Sequence, residues 1–176
     1  MTKKTILIAF FSLSLLSGCG YSTRSLLPSD FKTIFIEPIK NDVTYTTERK
    51  RNIYVPLLEV KVRNSIVARY QFDGNLDIAN NEDAADLVLK CELKGFDRDV
   101  LRYTENNDVQ EYRIRITISM VLMDKGEEEP VWEEPSFVGE TTYFPVGPQA
   151  KSESAAIEDA LLDLSRRVVE RTIEDW

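Results

Sequence analysis

Two stretches of the chain alternate strictly between apolar and polar residues, and they frame the rest. Leu87, Leu89, Cys91 and Leu93 point one way while Lys90, Glu92 and Lys94 point the other. Further along, Tyr112, Ile114, Ile116, Ile118, Met120 and Leu122 alternate with Glu111, Arg113, Arg115, Thr117 and Ser119. A period of two means a strand with one dry and one wet face, so both stretches read as long strands. The polar run from Thr104 to Asp108 between them reads as a hairpin loop. Thr33 to Glu37 is a shorter β-branched and aromatic run halted by Pro38, hence a first strand. Leu76 and Ile78 give a brief one, and Val131 to Val138 a last one. Pro135 lies inside that last run and lacks an amide proton, which places it at a sheet edge or on a bulge.

Two other segments show helical spacing. Val55, Leu58, Val62, Ile66 and Tyr70 recur at three- and four-residue steps around Pro56, and Phe72-Asp73-Gly74-Asn75 stops that helix. From Ser152 nearly to Trp176, Ile157, Leu161, Leu164 and Val168 make a second stripe. The polar stretch from Lys40 to Asn52 reads as a loop, and Asn80 to Asp83 as a turn. The order predicts an α+β fold: two helices packed on one face of a mixed four- to five-stranded β-sheet (strand, helix, strands, helix). The strand–helix–strand opening suits a parallel pair, and the remaining strands suit hairpins.

Each helix also carries apolar residues away from its main stripe. Leu162, Val169 and Ile173 lie nearly opposite the Ile157–Val168 stripe, and Leu57, Val60 and Val67 lie off the Val55–Tyr70 stripe. Scattered apolar surface residues are normal, but aligned second faces on both helices predict burial against a partner. A second copy or an enclosing protein would serve.

The N-terminus supplies an address. Lys3 and Lys4 precede an apolar run from Thr5 to Leu16, which ends in Leu16-Ser17-Gly18-Cys19. A helix crossing a bilayer needs about 20 apolar residues, so this run fits the core of a secretory signal instead. The quartet resembles the bacterial lipobox, whose cysteine is acylated and becomes the new N-terminus. The expected organisation is a signal peptide over 1–18, an acylated tether over 19–31, and one α+β domain over 32–176. Asp after the cysteine favours retention in the inner membrane in such lipoproteins. Gly20 instead implies the outer membrane, on its periplasmic face. Several acyl chains together anchor stably, where one would be marginal.

Composition narrows the chemistry. The 176 residues contain no histidine, which removes Ser-His-Asp and Cys-His arrangements and histidine-ligated zinc. Two cysteines cannot build a four-cysteine metal site, and acylation of Cys19 would leave Cys91 alone among leucines, a buried inert thiol. A net charge of −8 argues against nucleic acid as a partner. The acids are too scattered to nominate a catalytic pair. No catalytic set, metal site or cofactor is expected.

The cations offer one candidate site. Lys90, Lys94, Arg113 and Arg115 fall on the wet face of two strands expected to be hairpin neighbours. Arginine grips phosphate bidentately and lysine serves as a point charge. The competing reading is a solvated face whose cations pair with Glu92 and Glu111. Arg49-Lys50-Arg51 offers lipid head groups a smaller patch, or is simply a solvated loop.

Taken in order, the chain resembles the LptE family of lipopolysaccharide-assembly lipoproteins. The pieces are Cys19-Gly20-Tyr21, Lys32-Thr33-Ile34-Phe35-Ile36-Glu37-Pro38 with Asn41, and Ala85-Asp86-Leu87-Val88-Leu89. Tyr103, Glu111-Tyr112-Arg113-Ile114, Asp124, Trp132-Glu133, Gly139, Tyr143 and the helix closing on Trp176 come after them. The resemblance implies a small domain that plugs the lumen of a large outer-membrane β-barrel, LptD, with lipopolysaccharide as the cargo and a ligand to be contacted. A lipid-anchored regulator of a periplasmic cell-wall enzyme, of the penicillin-binding-protein activator type, is the alternative. A small carboxylate-only hydrolase is a third.

Overall fold

A computed structural model describes residues 30–43 and 54–174. The lipobox with Cys19, most of the tether, Arg49-Lys50-Arg51 and Trp176 lie outside the described residues. The elements run β1 (Thr33–Ile36), β2 (Lys40–Asn41), α1 (Leu58–Asp73), β3 (Asp77–Ile78), a 3₁₀ turn (Glu82–Ala84), β4 (Leu87–Tyr103), β5 (Val109–Asp124), β6 (Pro130–Tyr143) and α2 (Glu153–Glu174). The sheet order is β3-β1-β4-β5-β6, with β2 also pairing β4. The α+β layout is therefore as expected, with six strands rather than four or five. The unforeseen strand is β2, two residues of the expected loop that pair with Glu92 and Leu93.

Parallel pairing joins β1 to both β3 and β4, and antiparallel pairing joins β4, β5 and β6. Register follows the alternation. Leu89 opposes Leu122, Cys91 opposes Met120 and Leu93 opposes Ile118, so the dry residues of β4 and β5 share one face. Ile114, Ile116, Ile118 and Leu122 are wholly buried there. Pro135 sits where the β5–β6 register slips between Phe137 and Glu134, on an edge strand, so both features of its expected setting occur together.

Helix α1 buries Leu58, Val62, Ile66 and Tyr70, the predicted stripe apart from Val55, which with Pro56 precedes the helix rather than opening it. It ends at Gly74, whose φ of 77° is the left-handed cap that a side chain resists. Ser152 caps the start of α2, its hydroxyl accepting from the Ala155 amide at 3.2 Å. The helices run parallel to each other, because Lys61 meets Glu158, Ser65 meets Ser165 and Tyr70 meets Thr172. The Tyr70 hydroxyl donates to Thr172 Oγ1 at 2.7 Å, and burial pushes its pKa up.

Packing on two neighbours at once gives α2 an apolar arc wider than one stripe. Its buried residues include Ala156, Ala160, Leu161, Leu164, Val168, Val169 and Ile173. Val169 and Ile173 were expected to meet a partner. They are 1% and 6% exposed and belong to the core. The second face inferred for α2 is largely the face that packs within the domain, beside α1 as well as the sheet.

Side chains of α2 also close the outer edge of β6. Arg167 donates to the Val138 carbonyl, and the Glu140 amide donates to Asp163 at 3.1 Å. Both backbone groups belong to the strand with no neighbour on that side, so the helix blunts an edge open to further pairing. Gly139, between them, permits the close approach of α2 at Leu164.

Candidate functional site

The four candidate cations do occupy the face of the sheet away from the helices, but the structure does not converge them on one anion. Lys90 is 3.3 Å from Glu37, just beyond β1. Lys94 lies 2.8 Å from Asp42 and 2.7 Å from Glu92. The hydrogen bonds that Lys94 donates to Asp42 and Glu92 raise its pKa, and the contact with Asp42 lowers that of the carboxylate. Arg115 donates to Asp99 at 2.7 Å, and Glu111 is taken by Arg102 at 3.2 Å. The ion-pair reading thus describes three of the four, with Glu37, Asp42 and Asp99 as acids unforeseen from the alternation. Arg113 is the exception in making no ion pair among the described residues; its Nε, like that of Arg115, is buried without a hydrogen-bond partner. A shallow hollow of about 270 Å³ beside Lys90 is lined by Glu37, Lys40, Glu92 and Ser119. Its mixed charge gives an anion no preference.

Cys91 behaves as expected. It is a buried free thiol. Burial, with Glu37 nearby, pushes its pKa up to about 12, far from the range of a reactive thiolate.

The outer surface of the helices keeps part of the predicted partner face. Leu57 and Leu162 are each 64% exposed, and Val60 is 46% exposed. Val67 is half-buried and packs on the core, so it is withdrawn from that face. The remaining residues bracket one ion pair. Leu57 stands one helical turn before Lys61, Leu162 stands one turn after Glu158, and Lys61 Nζ meets Glu158 at 3.1 Å. Leu57 has a further peculiarity. Its φ of 56° and ψ of 30° are left-handed, and it precedes α1 without any side-chain cap. A branched residue held so costs roughly 1–2 kcal/mol, and such strain concentrates at sites of contact. Tyr54, also exposed, lies three residues before it.

At the far end of the long strands, residues from four elements form a tight cluster. Arg98 pairs with Glu153 at the start of α2 and lies 5.0 Å from the centre of the Tyr112 ring. Tyr112 stacks on Tyr143 at 5.5 Å. Burial raises the Tyr143 pKa, and Glu153 adds to that effect. Burial opposes the charge of Arg98, but Glu153 outweighs it and its pKa is raised. The cluster fastens the sheet to the helix.

Other residues that carry the family resemblance act the same way. Asn41 holds the Val43 amide at 3.1 Å and reaches Glu59 of α1. The Asp86 carboxylate accepts from the Lys32 and Thr33 amides, both at 2.9 Å, and these donors lower its pKa. The Arg171 guanidinium lies 4.7 Å from the centre of the Trp132 ring and binds Glu134 at 3.0 Å. Such roles escape sequence reading because each joins residues distant in the chain.

Solved structures share this fold at low identity. Protein XCC0632 from Xanthomonas campestris superposes with a TM-score of 0.56 and 14% identity, covering 80% of this chain and 83% of that one. Lipoprotein B from Nitrosomonas europaea gives 0.52 and 12%, covering 88% and 86%. A PelC dodecamer variant from Paraburkholderia phytofirmans gives 0.50 and 13%, covering 86% and 96%. At such identity they speak for the fold alone. No curated protein matches the chain. The family profile described as "LptE: Lipopolysaccharide-assembly" matches residues 31–174, from the first residues of the folded domain to the end of α2. The chain belongs to the LptE family.

Proposed function

We propose that this protein is an outer-membrane lipoprotein that partners and plugs a β-barrel of the LptD kind in lipopolysaccharide transport, by a non-enzymatic role. The family match over residues 31–174 carries the reading. The exposed Leu57, Val60 and Leu162 support it, because apolar residues grouped on the outer side of the helix pair offer a surface for a partner to cover. Purification from detergent-solubilised outer membranes tests the reading. A barrel of large mass should accompany the protein. A cell-wall synthase in its place would favour the regulator reading.

Attachment through Cys19 is part of the proposal and has its own test. Cys19→Ser should leave an unprocessed precursor or a soluble periplasmic form, by intact-mass spectrometry. A mature terminus elsewhere, without acyl mass, would refute the lipid anchor.

Direct contact with lipopolysaccharide, if the proposed partnership brings the two together, falls to Arg113 rather than to all four cations. Its neighbours Lys90, Lys94 and Arg115 are each engaged by an acid. Arg113→Glu should weaken binding to lipopolysaccharide about tenfold at low salt, with the difference shrinking as salt rises. A Lys90→Glu variant should change binding less. Equal binding by the Arg113 variant and the parent across the salt series would discard the phosphate contact.

A further inference from the structure

We propose that Asp86 and β1 form a mechanical lock that carries load from the N-terminal tether into the domain. The chain enters the described domain at Asp30, and the Asp86 carboxylate meets it at once. A single oxygen, Oδ2, accepts from the Lys32 amide at 2.9 Å, the Thr33 amide at 2.9 Å and the Thr33 hydroxyl at 2.8 Å. The Asp86 amide in turn donates to Thr33 Oγ1 at 2.9 Å. Charged acceptors make the stronger hydrogen bonds, and here three donors share one.

Beyond the clasp, β1 is placed to resist a pull along its own axis. It is flanked on both sides by parallel strands, β3 and β4. Further backbone bonds run from the Asp77 amide to the Lys32 carbonyl at 2.8 Å, from the Ala79 amide to the Ile34 carbonyl at 2.9 Å, and from the Glu37 amide to the Leu89 carbonyl at 3.1 Å. Tension applied to the N-terminus along β1, with the far end of the sheet held, loads these bonds together in shear. Peeling would break them one at a time. The strand must also drag Ile34 and Ile36, both wholly buried, through the core before it is free. A domain fixed at one end to lipid and elsewhere to a partner meets such tension, so the importance of the lock rests on the proposed anchoring.

Single-molecule pulling tests it without needing the anchor. The full-length chain, made without export so that Cys19 stays a free thiol, takes one handle at Cys19 and the other at Asn106→Cys, in the turn between β4 and β5. Forced rupture reads the unfolding rate rather than the equilibrium stability. At constant force, Asp86→Ala should shorten the lifetime about ten- to a hundredfold, and Asp86→Asn, which keeps an acceptor oxygen, by less. Tyr70→Phe removes a buried bond in the helix pair, off the load path, and should change the lifetime by no more than about twofold. Moving the second handle to Glu128→Cys, in the turn between β5 and β6, changes the direction to peeling and should lower the strength of the parent. If Asp86→Ala does not fold, Asp86→Asn carries the comparison. Equal loss from Asp86 and Tyr70 variants, an unchanged lifetime in the Asp86 variants, or a parent no stronger in shear than in peeling would overturn the lock. Failure here leaves acylation of Cys19 to be judged separately by mass.

Discussion

Gly139→Ala should destabilise the domain by about 3 kcal/mol, the upper end of what overpacking usually costs. A β-carbon on Gly139 would run into Leu164 Cβ and come within 2.6 Å of Leu164 Cα and 2.7 Å of its nitrogen. The obstacle is helix backbone, which no rotamer change relieves. α2 must move away from β6, and that retreat strains the contacts of Arg167 with Val138 and of Asp163 with Glu140. Urea or thermal unfolding measures the loss, on the order of 6–12 °C for a domain of this size. Gly126→Ala is the control, since its added carbon would meet nothing closer than 3.7 Å. A Gly139 variant as stable as that control would contradict the close packing of α2 on β6.

The second large effect concerns partnership rather than stability. Leu57→Glu combined with Leu162→Glu should abolish co-purification with the barrel while unfolding stays within about 1 kcal/mol of the parent, since each side chain is exposed. An apolar contact at the centre of an interface, where such energy concentrates, contributes about 2 kcal/mol, and two unpaired carboxylates forced into it add a desolvation cost. Binding should therefore fall by well over a hundredfold. Retention of the barrel by the double variant would show that this helix surface faces solvent. Loss of binding together with loss of fold would point to the core.

How far the fold could be read from sequence depended on whether a residue's role was local. The period-two runs of β4 and β5 announced both their faces and their pairing, because alternation and a short loop suffice to fix a hairpin. The Val55–Tyr70 stripe identified α1 for the same reason, although the helix itself starts only at Leu58. Val169 and Ile173 were misassigned because a second apolar stripe looks the same whether it meets an external partner or another part of its own domain. Two-residue β2 carries no periodic signal at all. Its pairing comes from parallel alignment with β4, which sequence spacing does not reveal. The candidate cations were correctly placed on one face, yet their acids, Glu37 and Asp42, come from another part of the chain. Asp86 and Gly139 stood out only through family resemblance. What each does, clasping Lys32 and Thr33 or admitting Leu164, emerges only in three dimensions.

Enclosure by a barrel is the central claim, and a photo-crosslinking side chain at Leu162 tests it most directly. The position is exposed, lies beside the Lys61–Glu158 pair, and tolerates substitution without disturbing the core. Irradiation of intact cells should join this protein to an outer-membrane β-barrel of large mass, identified by mass spectrometry of the adduct. Adducts formed only with a second copy, or no adduct at Leu162 and Leu57 alike, would contradict enclosure.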